Sequence, residues 1–190
     1  MNYVVGKLVG YAEDNMELSR FESAKLRFML EVIFLLVVQF TFFAIFFTYI
    51  GRTTEFLISV GVLMSVRTFS SGMHFKNYWY CFILSFTILL AIILILPDVS
   101  STFAMEALLL VTITINIALA PVSKRNYAHS AKSNLVFKAV STILLLIYSL
   151  WLLSDRGNPY ASIVTWTLFI QSAQLIIGKA MITNEKAKEQ

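Results

Sequence analysis

Charge is scarce in this chain. Charged residues make up 14% of its 190 residues, whereas a soluble domain carries about 25%. Hydrophobic residues make up 58% and the mean hydropathy is +0.75. A chain of this length cannot bury so much apolar surface in one core. The composition therefore excludes an ordinary soluble domain and predicts an all-α integral membrane protein. Its net charge of +4 is small, so we expect no nucleic-acid partner.

Cysteine and histidine are also rare. The one cysteine, Cys81, excludes an internal disulfide. The two histidines, His74 and His129, do not form a metal-ligand motif with it, so we expect no metal and no cofactor. The N-terminus does not resemble a cleavable signal peptide, because acidic residues interrupt it and no continuous apolar run precedes Arg27.

Six apolar runs dominate the rest of the chain. Residues 1–28 carry apolar side chains at helical spacing with charges between them, which predicts an amphipathic helix at the membrane interface. The six runs that follow predict transmembrane helices at residues 32–50, 56–66, 78–96, 99–122, 135–154 and 159–178. The second run is short and spans only if Glu55 and Arg67 reach the two interfaces. No internal repeat is visible. We therefore predict one domain over residues 1–190, with a six-span bundle at 29–179 and a cytoplasmic tail at 180–190.

The basic residues predict the orientation of these helices. With six crossings, Arg52 and Arg156 lie on one side and the other thirteen of the fifteen Lys and Arg residues lie on the opposite side. Cytoplasmic loops carry the excess of positive charge. Both termini and the polar segment described next are therefore predicted to face the cytoplasm.

A polar segment from Arg67 to Cys81 interrupts the apolar sequence and is the strongest candidate for a functional site. A cysteine with a histidine can supply a nucleophile and its base. His74 and Cys81 are seven residues apart, which would separate them by about 10.5 Å along one straight helix. If they act together, the helix must break, so we predict a broken or re-entrant segment at Ser71 and Gly72 before the third helix. Asn77 is then a candidate N-cap, with Cys81 in the first turns, where the helix dipole favours an anion.

Two other interpretations of this segment stay open from spacing alone. A single membrane cysteine is often a small apolar packing residue. Tyr78, Trp79 and Tyr80 are typical of an aromatic belt at a membrane interface.

The same residues carry a family resemblance. The pattern Arg67, Gly72-Met73-His74 and Cys81 resembles that of the accessory gene regulator B (AgrB) family, membrane cysteine endopeptidases of bacterial quorum sensing. Ser71 departs from the glycine that the family has at that position. Pro121 followed by Lys124 and Arg125 is similar to the central loop of the family.

The resemblance implies a function and a set of partners. Cys81 would cleave an AgrD-like precursor peptide through a thioester acyl-enzyme, with His74 as base and then acid. An internal thiol or hydroxyl of the peptide would then close a thiolactone or lactone ring. Arg67, Ser71, Gly72 and Asn77 would support the site, while the substrate would be bound by Lys76, Lys124 and Arg125. The resemblance also implies a homodimer in the bacterial cell membrane.

A small transporter or channel without proteolytic activity is the alternative. Its candidate polar residues within the spans are Gln39, Asn116, Gln171 and Gln174. Many transporters contain two repeated halves, and no such repeat is visible in this chain, which argues against this alternative. No carboxylate lies near the centre of a predicted span.

The predicted topology is testable by labelling intact cells. In a Cys81→Ser background, Arg52→Cys, Asp98→Cys and Asp155→Cys should react with a membrane-impermeant thiol reagent, because all three positions would face outward. Lys186→Cys should stay unlabelled until the cells are opened. Protection of position 98 would contradict six crossings.

Overall fold

The structure, a computed structural model, describes residues 6–7, 10–11, 19–70, 78–96, 102–122, 131–155 and 157–188. Six long helices make up most of its regular structure over these residues, which confirms the predicted all-α class. They are α1 (Arg20–Tyr49), α2 (Thr53–Ser70), α3 (Tyr78–Leu90), α4 (Thr102–Leu119), α5 (Ala131–Ser154) and α6 (Ala161–Lys188). A π-helical turn at Ala91–Ile95 continues α3.

Four of these helices are long and apolar enough to cross a membrane, which agrees with an integral membrane protein. The candidate spans are Phe21–Tyr49, Tyr78–Ile95, Ser133–Ser154 and Ala161–Thr183, and Phe103–Leu119 is a shorter apolar helix. The α2 helix is not among these five. Its 18 residues reach about 27 Å, close to the hydrocarbon thickness of about 30 Å, but Glu55 and Arg67 lower its hydropathy. Six crossings therefore stay a prediction.

The start of α1 differs from the predicted boundary between an interfacial helix at 1–28 and a bundle at 29–179. A capping box begins α1 at Ser19, which accepts a hydrogen bond from the Glu22 backbone while the Glu22 carboxylate accepts from the Ser19 backbone at 2.9 Å. These bonds satisfy N–H groups at the helix start, so residues 20–28 belong to α1. Gly6, Lys7, Gly10 and Tyr11 are helical. The rest of the predicted interfacial helix, and most of its proposed apolar face, lies outside the described residues.

The chain divides into two compact units, Met1–Gly51 and Arg52–Gln190. The first unit contains α1, which ends at Tyr49. Gly51, two residues later, has a left-handed backbone (φ 76°), a conformation that favours glycine. The second unit contains α2 to α6 and the whole of the Arg67–Cys81 segment. The single domain predicted for residues 1–190 stays a prediction.

The α6 helix is the centre of the second unit. About 61% of its candidate span is buried, against 11% for α3 and 22% for α5. It packs against α2 and α4, and α5 packs against α2 and α4 in turn. The core contains buried apolar side chains from all four helices: Val62, Val66, Met105, Leu109, Leu145, Leu152, Ala161, Val164 and Leu168. The α3 helix lies at the edge of this unit, with Leu89 as its one buried residue among those described.

Polar side chains of α6 face inward. Thr165, Thr167, Gln171, Ser172 and Gln174 are all buried. Lipid tails offer no hydrogen-bond partners, so polar groups on a membrane helix are stabilised by turning toward neighbouring helices. This explains why the most polar of the four candidate spans is also the most buried.

Candidate active site

Ser70, the last residue of α2, is held at two points. Its side-chain oxygen accepts a hydrogen bond from Gln171 Nε2 of α6 at 3.1 Å, and its carbonyl accepts one from the Val122 N–H at 3.2 Å. The residue is fully buried. Ser70 is therefore fixed against α6 and against Val122, which follows α4.

Further polar contacts tie α2 to its neighbours. The Thr167 hydroxyl of α6 donates to Ser59 Oγ at 3.3 Å, and the Ser65 and Tyr148 hydroxyls are 3.0 Å apart. The α2 helix is thus joined by polar contacts to both α5 and α6. This attachment gives the C-terminal end of α2, including Arg67, a defined position.

Cys81 is the fourth residue of α3 and lies in its first turn. The thiol is free and partly buried. Trp79 and Tyr80, just before it, are 65% and 64% exposed, as expected for aromatic residues at a membrane interface.

A small pocket between α2, α3 and α6 brings Cys81 and Arg67 together. Its apolar walls are Leu63, Leu84 and Ile88, and its polar lining comes from Arg67, Cys81, Ser85 and Gln174. The enclosed volume is about 10 Å³, which is roughly the room that one water molecule needs. Residues that carry a thiol, a guanidinium and a carboxamide therefore line a space of about the size of one water molecule.

The electrostatic character of this pocket is positive. Arg67 is the one charged side chain among the described residues that line it, and it lies in the last turn of α2. The first turn of α3 adds the positive end of a helix dipole. Both features attract negative charge to the pocket. A thiolate and an oxyanion are the two anions that nucleophilic acyl transfer requires.

Many of the predicted site residues lie outside the described residues. These are Ser71, Gly72, His74, Lys76 and Asn77 in the 71–77 segment, and Lys124 and Arg125 in the 123–130 segment. The predicted break before the third helix falls on residues 71–77 and stays a prediction. Ser70 and Val122, which bond to each other, precede these two segments. These two described residues therefore lie side by side.

Gln174 and Ser85 are pocket residues that sequence reasoning did not assign to the cysteine site. Gln174 was identified as a polar residue inside a span, but it was considered for a transport path. The sequence shows a carboxamide within an apolar helix, but it does not show which residues of other helices lie near that carboxamide. Asn116 and Gln171, also considered for transport, donate hydrogen bonds between helices instead, from Asn116 to Ser141 at 3.1 Å and from Gln171 to Ser70.

Apolar helices packed around a polar centre define an α-helical membrane protein with a cysteine pocket at one end of its bundle. Comparison with known proteins identifies its family. The family model described as "Accessory gene regulator B" matches residues 2–175. The chain therefore belongs to the AgrB family, which is part of the Agr quorum-sensing system.

A curated relative supports the same assignment. The chain is 29% identical over 182 residues to a protein of Clostridium beijerinckii named "Putative AgrB-like protein", and the match covers 93% of this chain and 89% of the relative. No solved structure matches the chain significantly.

The contact between Ser70 and Gln171 is testable by a double-mutant cycle. Gln171→Met and Ser70→Ala should each lower the free energy of unfolding by about 1–3 kcal/mol, because each leaves a buried polar partner behind. The double variant should lose less than the sum of the two. Unfolding in detergent micelles measures the effect, and Thr183→Val, at an exposed position of the same helix, is the control. Strictly additive losses would contradict the contact.

Proposed function

We propose that this protein is a membrane cysteine endopeptidase that cleaves an AgrD-like precursor peptide and cyclises it. Cys81 is the nucleophile, His74 is the general base and then the acid, and the product is a thiolactone or lactone autoinducing peptide. The observation that carries the proposal is the positive pocket in which Cys81 lies beside Arg67. Membership of the AgrB family supports it.

The surroundings of Cys81 suit a thiolate nucleophile. The sulfur lies in the first turn of α3, where the helix dipole favours negative charge. Arg67 adds a full positive charge to the same pocket. A cysteine that served only as apolar packing would gain nothing from a neighbouring guanidinium, so the pocket favours the catalytic interpretation.

His74 is connected by short stretches of chain to Ser70 on one side and to Tyr78 on the other. Three residues separate it from Ser70 and three separate it from Tyr78. Ser70 is anchored to α6, and Tyr78 begins the helix that carries Cys81. Each tether of four residues spans at most about 14 Å, which allows the imidazole to reach the sulfur.

The first chemical step cleaves the peptide. His74 takes the proton of the Cys81 thiol, and the thiolate attacks the scissile carbonyl carbon. A C–S bond forms while the carbonyl π electrons move to oxygen. When this intermediate collapses, the C–N bond breaks and the imidazolium gives its proton to the leaving amine. The C-terminal part of the peptide departs, and its N-terminal part remains on Cys81 as a thioester.

The second step closes the ring. A thiol or hydroxyl within the bound peptide attacks the thioester carbonyl, its proton passes to His74, and the Cys81 thiolate leaves. No water is consumed in this route. The apolar walls formed by Leu63, Leu84 and Ile88 limit the access of water, which favours cyclisation over hydrolysis.

The supporting roles follow the sequence predictions. Ser71, Gly72 and Asn77 shape the turn that carries His74, while Arg67 orients the site. Lys76, Lys124 and Arg125 attract the acidic tail of the peptide. The protein acts in the cell membrane as a homodimer, with both termini and the site on the cytoplasmic face.

Substitutions at the catalytic pair should show that the two residues act as one unit. Cys81→Ala should abolish cleavage of the precursor peptide, and Cys81→Ser should be nearly as damaging because a hydroxyl is far harder to ionise. His74→Ala should also be nearly inactive, and the double variant should be no worse than either. Cleavage is followed by mass spectrometry on membranes with equal protein content. Undiminished cleavage by the Cys81→Ala variant would overturn the proposal.

The acyl-enzyme should accumulate when ring closure is blocked. A precursor peptide whose internal nucleophile is replaced by alanine can form the thioester but cannot leave as a ring. Intact mass spectrometry should then show the protein plus the N-terminal part of the peptide, and hydroxylamine should release it. The Cys81→Ala variant is the control and should carry no adduct. An adduct of the same mass on that variant would exclude Cys81 as its site.

A further inference from the structure

Gln174 has a polar side chain with no evident structural role. It is 5% exposed, lies within a candidate membrane span and makes no hydrogen bond to any residue that the structure describes. The Gln174 carboxamide atoms are not among the fully buried side-chain atoms that lack a partner, so this group keeps access to the pocket that Gln174 lines. A carboxamide that reaches a pocket and has no partner among the described residues can donate a hydrogen bond to a group bound there.

Gln171, three residues earlier on α6, shows the contrast. Its Nε2 donates to Ser70 Oγ at 3.1 Å, and its side chain is not part of the pocket lining. Gln171 thus holds two helices together. Gln174 instead directs its side chain to the pocket that Cys81 lines.

The pocket matches a single oxygen atom in size. Its volume of about 10 Å³ holds about one water-sized group. The carbonyl oxygen of a bound peptide is such a group, and it must lie close to the sulfur when Cys81 attacks. A carboxamide N–H and a guanidinium on the pocket wall are the donors that stabilise an oxyanion in acyl transfer.

We propose that Gln174 is a catalytic residue that donates a side-chain N–H to the oxyanion formed when Cys81 attacks an acyl carbon. As the C–S bond forms, the carbonyl π electrons move to oxygen, and the Gln174 carboxamide and Arg67 stabilise that charge. When the intermediate collapses, the electrons return, the C=O bond re-forms and the leaving group departs. This assignment rests on the proposed peptidase function and adds a donor to it.

Two small probes separate oxyanion stabilisation from thiol reactivity. Acylation of Cys81 by p-nitrophenyl acetate passes through a tetrahedral oxyanion and releases p-nitrophenolate. Alkylation of Cys81 by iodoacetamide displaces iodide directly, and no oxyanion forms. Both reactions require the same thiolate, so the ratio of their rates reports the oxyanion donors alone. The full-length protein in detergent micelles is used, and rates with the Cys81→Ser variant are subtracted.

Removing the donor should affect acylation alone. Gln174→Met keeps the size of the side chain and loses the N–H, and we expect acylation to fall about 100-fold or more. Alkylation should stay within about twofold of wild type. Thr165→Val is the matched control, because Thr165 is a buried polar residue of the same helix whose hydroxyl bonds only to its own helix, at the Ala161 carbonyl. That variant should leave the ratio unchanged.

Gln174→Glu provides a signature that a structural role would not produce. A carboxyl group donates a hydrogen bond only while it is protonated. The ratio of acylation to alkylation should therefore rise as pH falls in this variant and stay constant in wild type, since the thiolate fraction cancels. The result does not depend on whether Gln174→Met folds well.

The outcomes distinguish this assignment from the peptidase proposal. An unchanged ratio in Gln174→Met with normal thermal unfolding, or a ratio independent of pH in Gln174→Glu, would overturn the oxyanion role. Loss of both reactions in equal measure would also overturn it, because that indicates a structural effect. The ratio of acylation to alkylation could fall in Gln174→Met while cleavage of the precursor proves independent of Cys81. That pair of results would support the oxyanion role and overturn the peptidase proposal.

Discussion

The double anchoring of Ser70 is the constraint on which the rest of the site depends. One hydrogen bond joins its side chain to Gln171 in the centre of α6, and another joins its carbonyl to Val122 beyond α4. Together they hold the end of α2, and with it Arg67, against the most buried helix of the unit. Ser70 and Val122 are the last described residues before the polar segments 71–77 and 123–130. In a lipid environment few water molecules compete for the hydrogen bonds of Ser70. These bonds are therefore well suited to holding the end of α2 in one position.

The α6 helix links stability to the candidate chemistry. Its inward face holds the carboxamides of Gln171 and Gln174, and these side chains serve different purposes one turn apart. The first joins two helices, whereas the second lines the pocket at Cys81. The α3 helix, which carries the cysteine, lies at the edge of the unit and contributes little to the core. The pocket therefore combines a wall from α2 and α6 with the candidate nucleophile on a peripheral helix. This arrangement suits a substrate that approaches from the membrane surface.

Much of this organisation could be predicted from the chain, but with characteristic errors at boundaries. The long apolar runs predicted helices correctly, because hydropathy alone controls insertion into a bilayer. The start of α1 was placed too late, since the Ser19–Glu22 capping box begins a helix among charged residues that hydropathy cannot detect. The second helix was drawn too short at 56–66, because polar and charged residues at both ends, from Thr53 and up to Ser70, belong to α2. Gln174 was recognised as polar and buried, yet its distance of 93 residues in sequence from Cys81 hid their shared pocket.

The sequence by itself determined the class of the protein, its family and the identity of the nucleophile candidate. Composition indicates the first, because so apolar a chain is stable only in lipid, and the resemblance carried by Arg67, Gly72, His74 and Cys81 indicates the family and the candidate nucleophile. Only the tertiary structure decided which side chains share the pocket with Cys81. Helices that are distant in the chain meet through side-chain packing and a few buried hydrogen bonds. Neither kind of contact produces a pattern that can be recognised in the local sequence. Arg67 from α2, Cys81 and Ser85 from α3 and Gln174 from α6 come together because α6 turns its polar face inward, away from lipid that cannot satisfy it.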